Sequence, residues 1–272
     1  MKKTILITGS TDGIGFETAK KLIAEGHHVL IHGRNPQKLE KVKEALKALS
    51  PGGSNVEGYV ADLSSLADVE AFAAAVKSDH ARLDVLINNA GVYNVPTVTT
   101  KDNLDVRFVV NTIAPYLLTQ RLLSLFNESG RIVNLSSRAQ APVNLSALIS
   151  PDAKSDDGSV YAQTKLAITM WSVHLAERLK GNGPLVVAVN PASFLGSKLV
   201  KEAYGMEGND LGIGADILYR AALSDEFANA TGKYFDNDEG VFTSPHSDAM
   251  NKAKNEKVVA VIESLLTDKL AI

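Results

Sequence analysis

The residues Thr4-Ile5-Leu6-Ile7-Thr8-Gly9-Ser10-Thr11-Asp12-Gly13-Ile14-Gly15 decide how the rest of the chain is read. A short β-branched apolar run suits a buried strand. It passes without a spacer into a glycine-rich turn and then into helix formers through Ala24. A strand that runs through glycines into a helix N-terminus brings backbone close to a pyrophosphate, whose charge meets the helix's unpaired N–H groups. Glycines alone are weak evidence, because a bare turn also needs them. Their place at the first strand-to-helix junction favours nucleotide binding, with Gly9, Ser10, Thr11, Gly13, Ile14 and Gly15 as the contacts. The spacing G-x-x-x-G-x-G is wider than the G-x-G-x-x-G of most dinucleotide folds.

Outward from this turn, strand-forming runs recur at Val29 to His32, Val56 to Val60, Val85 to Ile87, Arg131 to Leu135, Leu185 to Val189 and Lys233 to Phe235. Between the second and third, Asn35-Pro36 supplies an N-cap and a first-turn proline, and Leu39, Val42, Leu46 and Leu49 fall on one helical face. Leu66, Val69, Phe72 and Val76 repeat that rhythm, while Ser50-Pro51-Gly52-Gly53 and Gly181-Asn182-Gly183-Pro184 separate helix from strand. Repeated βαβ units imply a single Rossmann-type, doubly wound α/β domain over residues 1–272, with about seven mostly parallel strands and helices on both faces. The polar stretch Ser150-Pro151-Asp152-Ala153-Lys154-Ser155-Asp156-Asp157-Gly158 reads as an exposed loop. Val258 to Leu266 is apolar on one face, and because its polar face is not rich in basic residues it is expected to pack on the domain rather than on a membrane.

With 45% hydrophobic and 22% charged residues, the chain has the balance of an ordinary globular protein. A net charge of −3 offers no broad attraction to phosphate backbones or anionic lipid, so neither nucleic acid nor a membrane surface is an expected partner. The absence of cysteine excludes disulfides, thiolate catalysis and cysteine-bound zinc. No apolar stretch nears the ~18 residues of a membrane span, and the apolar run after Met1-Lys2-Lys3 is too short for a targeting signal. A cytoplasmic protein without a membrane anchor is the expectation. None of the six histidines shows metal-ligand spacing along the chain, so they read as solvated or core residues.

The second strand ends in His32-Gly33-Arg34-Asn35, where an acid would hold the ribose 2′-hydroxyl of NAD. Arg34 stands there instead, a fixed fork suited to a 2′-phosphate, with only Ser10 or Thr11 as neutral help. NADP is therefore the expected cofactor, NADPH preferred and NAD accepted. Asp62, ending the third strand, is placed either to meet the adenine or to cap a helix before Leu63-Ser64-Ser65. The fourth strand ends in Asn88-Asn89-Ala90-Gly91, the fifth leads to Ser136-Ser137, and Tyr161-Ala162-Gln163-Thr164-Lys165 opens a helix with Tyr161 and Lys165 on one face. A lone tyrosine four residues before a lysine is usually a surface pair. The order of these motifs, each where a strand meets the cofactor edge, turns the judgement toward an active site. Met170 and Trp171 follow the tyrosine, to line a pocket or to pack the helix on the sheet.

In this combination the chain resembles the short-chain dehydrogenase/reductase family along essentially its whole length. Ala61-Asp62-Leu63-Ser64-Ser65-Leu66, the long span from Ser137 to Tyr161, Tyr161 through Ala167, and Gly232-Lys233-Tyr234-Phe235 are similar to its retinol-dehydrogenase-like subset. The resemblance implies a hydride moved between nicotinamide and a small-molecule carbonyl or alcohol carbon. It implies Tyr161 as acid or base, Lys165 lowering its pKa and holding the nicotinamide ribose, Ser137 on the reacting oxygen, and Asn111 completing a proton relay. Gly9, Gly13 and Gly15 would hold the pyrophosphate, Asp62 and Leu63 the adenine, and Asn89, Ala90, Gly91 and Pro191 the cofactor on the ribose and nicotinamide side. Family similarity also suggests a homo-oligomer. One departure is that Asn190-Pro191-Ala192-Ser193-Phe194-Leu195-Gly196-Ser197 has alanine and glycine where the family usually has glycine and threonine, with Ser197 one residue on. Another is that the chain begins directly with its first strand, so a retinoid substrate is not implied. An epimerase or dehydratase is disfavoured by the glycine spacing and the lack of a second substrate domain. A non-catalytic dinucleotide sensor or scaffold has no need of Ser137, Tyr161 and Lys165 together.

Overall fold

Strand and helix alternate through β1 (Thr4–Ile7), α1 (Gly13–Ala24), β2 (His28–Gly33), α2 (Pro36–Leu49), β3 (Val56–Val60), α3 (Leu66–Asp79) and β4 (Val85–Asn88) in a computed structural model that describes residues 2–50, 52, 56–151 and 155–270. Next come α4 (Val106–Phe108), a π-helical turn (Val109–Ile113) and α5 (Ala114–Leu122), which follow one another without a break. The chain continues through β5 (Arg131–Leu135), α6 (Leu145–Ile149), α7 (Asp157–Leu179), β6 (Leu185–Asn190), α8 (Lys198–Tyr204), α9 (Leu211–Leu223), β7 (Tyr234–Asp236), β8 (Val241–Thr243) and α10 (Lys252–Leu270).

These strands form one sheet in the order β3-β2-β1-β4-β5-β6-β7-β8, parallel except for β8. The direction of winding reverses between β1 and β4, and in such sheets the crevice outside the strand C-termini at that switch point is where ligands bind. About seven strands were expected, and the described residues form eight. The extra strand is a three-residue edge whose residues are largely exposed, so it carries no run of buried apolar positions to announce it. It exists because the turn after Asp236, with Gly240 at φ 70°, folds it back on β7.

Alternation along the strands builds two cores. Ile5, Ile7, Val29 and Ile31 face Leu22 and Ile23 of α1 and Ile217 and Leu218 of α9. Leu6, Leu30, Leu86 and Ile132 face α3, α5, α7 and α10. Both faces of a parallel sheet are thereby covered. Asn35 caps α2 by accepting from the Lys38 amide at 2.8 Å, and Ser65 caps α3 by accepting from Asp68 at 3.3 Å. Val258, Val259, Ile262, Leu265 and Leu266 of α10 are buried in the second core, so this helix packs on the domain. Among the described residues no helix is long and apolar enough to cross a membrane. Trp171 is fully buried with its ring 5.6 Å from Tyr116 in a T-shaped contact, and Met170 is buried beside it, which makes both core residues. Of the stretch read as a loop, Asp152, Ala153 and Lys154 lie outside the described residues, as do Pro51 and Gly53 of the earlier breaker; α7 already starts at Asp157, capped by Asp156.

Candidate active site

The glycine turn is built by close approach. Gly9 has φ 64° and Gly13 φ 55°, and a Cβ on Gly9 would lie 2.8 Å from the Ala90 Cα. A Cβ on Gly15 would meet the Gly9 carbonyl oxygen at 2.5 Å, so Gly15 lets α1 sit against the turn and does not itself line the cleft. The Asn89 amide nitrogen donates to the Thr8 and Gly9 carbonyls at 2.9 and 3.0 Å, and Thr8 Oγ1 accepts from the backbone of Asn89 and Ala90. Asn89 thus pins the turn to the end of β4. Ser10 points inward: its hydroxyl donates to the Ile7 carbonyl at 2.9 Å and accepts from the His32 amide at 2.9 Å. It is fully buried, and Gly9, Thr11, Gly13 and Ile14 line the cleft instead.

His32 holds the same corner from below. Its Nδ1 accepts from the Gly9 amide at 3.1 Å, which leaves the ring proton on Nε2 to donate to the Ala61 carbonyl at 3.1 Å. The ring stacks on Phe72 at 4.9 Å, and burial pushes its pKa down to about 4, so it stays neutral. One side chain therefore ties β2, the glycine turn and the end of β3 together.

A cleft of about 720 Å³ runs along the strand C-termini from Arg34 to Tyr161. Among the described residues no carboxylate pairs with Arg34. Beside it on the cleft wall, Lys38 reaches Asp12 of the glycine turn at 2.5 Å, which holds the Asp12 carboxyl below its ordinary range. Sequence reasoning overlooked Lys38; its place in the first turn of a helix that follows the strand end was the available signal. Asp62 accepts from the Ser64 amide and hydroxyl at 2.9 and 2.8 Å, closing a local turn. The cap of α3 is Ser65, so Asp62 stands in the cleft wall rather than at the helix end.

At the other end, Lys165 follows Tyr161 by one turn of α7, its Nζ 5.5 Å from the tyrosine ring centre and donating to the Leu135 carbonyl at 2.8 Å. Desolvation pushes the lysine pKa down to about 8. The two adjacent serines divide their work. Ser136 is buried, bonded to the Lys165 carbonyl at 3.0 Å and to Thr169 at 2.6 Å, so it fastens α7 to β5. Ser137 stands in the cleft, its oxygen accepting from the Ala139 amide at 3.1 Å and its own carbonyl accepting from the Tyr234 hydroxyl at 3.0 Å. Tyr93 packs its ring 5.0 Å from Tyr161.

Asn111 lies in the π-helical turn, a distortion common at functional sites. Its side chain brackets the Val92 backbone, accepting from the amide and donating to the carbonyl at 2.8 Å each, and also donates to Thr164 Oγ1 at 3.1 Å. It braces the loop after β4 against α7 from behind the cleft wall. Buried Arg107 does similar work, bonding Asp105 at 2.7 Å and Asp157 in the first turn of α7 at 2.5 Å. Nothing in the local pattern singled out Arg107, and Tyr234 was noted only within the Gly232-Lys233-Tyr234-Phe235 motif, not for its bond to Ser137.

After β6, Pro191, Ala192, Ser193 and Ser197 line the cleft. Ala192 has φ 115° and Phe194 φ 53°, a backbone that favours glycine, and Ala192 is the position where the sequence departs from the family's glycine. Asp238, in the turn before β8, holds this loop by accepting from the Ser193 amide and hydroxyl at 2.8 and 2.6 Å and from Asn190 at 2.9 Å. The unexpected hairpin thus buttresses the cleft.

A family model described as short chain dehydrogenase matches residues 3–207. The chain belongs to the short-chain dehydrogenase family. Human retinol dehydrogenase 13 is 32% identical to it over 86% of this chain and 76% of its own length. Human polyprenol dehydrogenase is 33% identical over 87% and 77% of the two chains, and the chloroplastic short-chain dehydrogenase TIC 32 A of Brassica napus is 30% identical over 96% and 89%. Among solved structures, an uncharacterised protein of Mycobacterium paratuberculosis superposes with a TM-score of 0.80, 25% identity and coverage of 97% of this chain and 92% of its own. A Burkholderia cenocepacia short-chain dehydrogenase in complex with NADP has a TM-score of 0.68, 25% identity and coverage of 86% and 95%. The protein is accordingly a short-chain dehydrogenase of the retinol-dehydrogenase-like subset, an oxidoreductase acting on CH–OH groups.

Proposed function

We propose that the whole chain acts as one NADP(H)-binding and catalytic unit that interconverts an apolar carbonyl compound and its alcohol, with Tyr161 as acid and base. The observation that carries this reading is that one cleft joins the glycine turn, the Arg34 guanidinium and the Tyr161–Lys165 pair. The residues present fit a dinucleotide. Glycine at 91 leaves open the space beside Lys165, where a Cβ would come within 3.7 Å of Nζ. The α1 N-terminus with Gly9, Thr11, Gly13 and Ile14 would take the pyrophosphate, Asp62 and Leu63 the adenine end, and Asn89, Ala90, Gly91 and Pro191 the other half. Arg34, with Lys38 beside it, would meet a 2′-phosphate.

The nicotinamide supplies or accepts the hydride. Tyr161 would give a proton to the carbonyl oxygen in reduction and take it back in oxidation. A phenol of pKa about 10 is a poor base at neutral pH, and the neighbouring lysine ammonium favours the phenolate. Ser137 Oγ, already accepting from the Ala139 amide, has its O–H to donate to the substrate oxygen and orient it. Val95, Val106, Val110, Leu199 and Val200 on the cleft wall support an apolar substrate, as do relatives named for retinol and polyprenol. The test is NADPH consumption with a panel of aldehydes and ketones graded in chain length, retinal and short polyprenals included. Saturable turnover that improves with apolar length is expected, and no turnover with any carbonyl overturns the proposal.

A further inference from the structure

We propose that His28, Glu57 and His80 form a binding site for a divalent late first-row metal ion of the zinc class, at the sheet edge opposite the cleft. The three are far apart in sequence and come from three elements: His28 opens β2, Glu57 is the second residue of β3, and His80 caps the C-terminus of α3. Parallel pairing of β2 with β3 and the return of α3 to the bottom of the sheet bring them together, which is why no spacing along the chain showed them.

The Glu57 carboxylate bridges the two imidazoles, Oε1 lying 2.8 Å from His28 Nε2 and Oε2 lying 3.3 Å from His80 Nε2. Ligand atoms from the three residues all lie within 4.8 Å of one another. Tetrahedral zinc with bonds near 2.1 Å needs its ligand atoms about 3.4 Å apart, so small side-chain rotations complete the site. The imidazole rings stand at 66° with centres 5.5 Å apart, edge to face rather than stacked, and both turn Nε2 toward the same carboxylate. Two imidazoles and one carboxylate suit zinc and its neighbours, whereas magnesium and calcium call for oxygen ligands.

Access and support are also present. The histidine side chains are 20% and 11% exposed while Glu57 is 46% exposed, so the rings are held and the carboxylate side is open to entering ions. His80 Nε2 faces the Tyr59 hydroxyl at 2.9 Å, and that hydroxyl also donates to Asp79 at 2.9 Å. When the nitrogen turns to a metal, Tyr59 keeps its Asp79 partner and no buried hydroxyl is orphaned. By contrast His27 and His32 each use Nδ1 to accept a backbone amide, which sets them apart from this cluster. A bound ion would clip β2, β3 and α3 together beneath the Arg34 and Asp62 end of the cleft.

The experiment titrates EDTA-treated, dialysed, tag-free protein with zinc chloride by calorimetry and follows the melting temperature. Wild type, the His28→Gln/His80→Gln double variant, Glu57→Gln and a His246→Gln control are compared. Expected are one zinc per chain, a rise in melting temperature on saturation, and affinity at least about 10-fold weaker in the double variant and in Glu57→Gln but unchanged in the control. NADPH binding by the metal-free variants should match wild type, showing that they fold. Should the double variant fail to fold, Glu57→Gln and an anomalous zinc peak among the three side chains of crystalline wild type decide. Binding at other than one ion per chain, equal affinity in Glu57→Gln and wild type, or no anomalous peak overturns the proposal.

Discussion

Lys165→Met separates what the lysine costs the fold from what it would do in catalysis. The side chain is buried, and desolvation pulls its pKa from 10.5 to about 8. Between those two values the unfolded chain holds a proton that the folded protein has released, so stability rises with pH across that window. The contribution is fully present above the unfolded value and is lost as pH falls through the folded one. At about 1.36 kcal/mol per pH step, the deficit at neutral pH is about 3 kcal/mol. Integrating the same two titrations from about pH 7 to about pH 9.5 gives a gain near 2 kcal/mol for the wild type. Methionine fills a similar volume without the charge. It forfeits the bond to the Leu135 carbonyl, about 1–2 kcal/mol, part of which water can recover because Leu135 borders the cleft. Lys165→Met is therefore expected to be about 1–2 kcal/mol more stable than wild type near pH 7. It should also lack the alkaline gain, while losing activity. Urea unfolding followed by circular dichroism at both pH values measures this, and other titrating groups cancel in the comparison. An identical pH slope in the two proteins refutes the reasoning.

Tyr161→Phe should lower turnover by roughly 10² or more with little change in cofactor affinity, since a proton-transfer role is removed and packing is kept; steady-state kinetics beside a binding titration reads both, and near wild-type turnover sinks the assignment. Arg34→Ala should shrink the ratio of kcat/KM for NADPH over NADH by about 10-fold or more, the worth of a charge-assisted bond to phosphate; an unchanged ratio would count against a 2′-phosphate partner. Ala192→Gly should relieve backbone strain at φ 115°. Strain of about 1–3 kcal/mol, less about 0.4–1 for the freer unfolded chain, leaves about 1 kcal/mol of stabilisation, or a rise of about 2–4 °C in melting temperature. A fall by calorimetry would show that the Cβ packs productively in that loop.

The sequence by itself determined the frame. Hydrophobic period, capping residues and glycine placement act between near neighbours, so β3 and β5 could be bounded to the residue, and the crossover helices found, before any contact was known. The edge strand β8 escaped because its three residues are stabilised by the turn and by pairing with β7, not by an apolar pattern of their own. The same locality explains why the candidate site was legible in outline, as glycine turn, strand-end asparagine, serine, tyrosine and lysine in chain order.

Only the tertiary structure decided between neighbours of equal chemistry and paired residues distant in the chain. Ser10 and Thr11 look alike in sequence, but the left-handed Gly9 turns the Ser10 hydroxyl into the protein, while Thr11 lines the cleft. Ser136 locks α7 while Ser137 faces the cleft, because alternation at the end of β5 sends successive side chains to opposite faces. Lys38 meets Asp12, Tyr234 holds Ser137, Asp238 holds Ser193, and His28 meets Glu57 and His80 through sheet order and helix return. Such partnerships depend on where whole elements pack, and an interaction between residues tens of positions apart leaves no trace in the local pattern of either one.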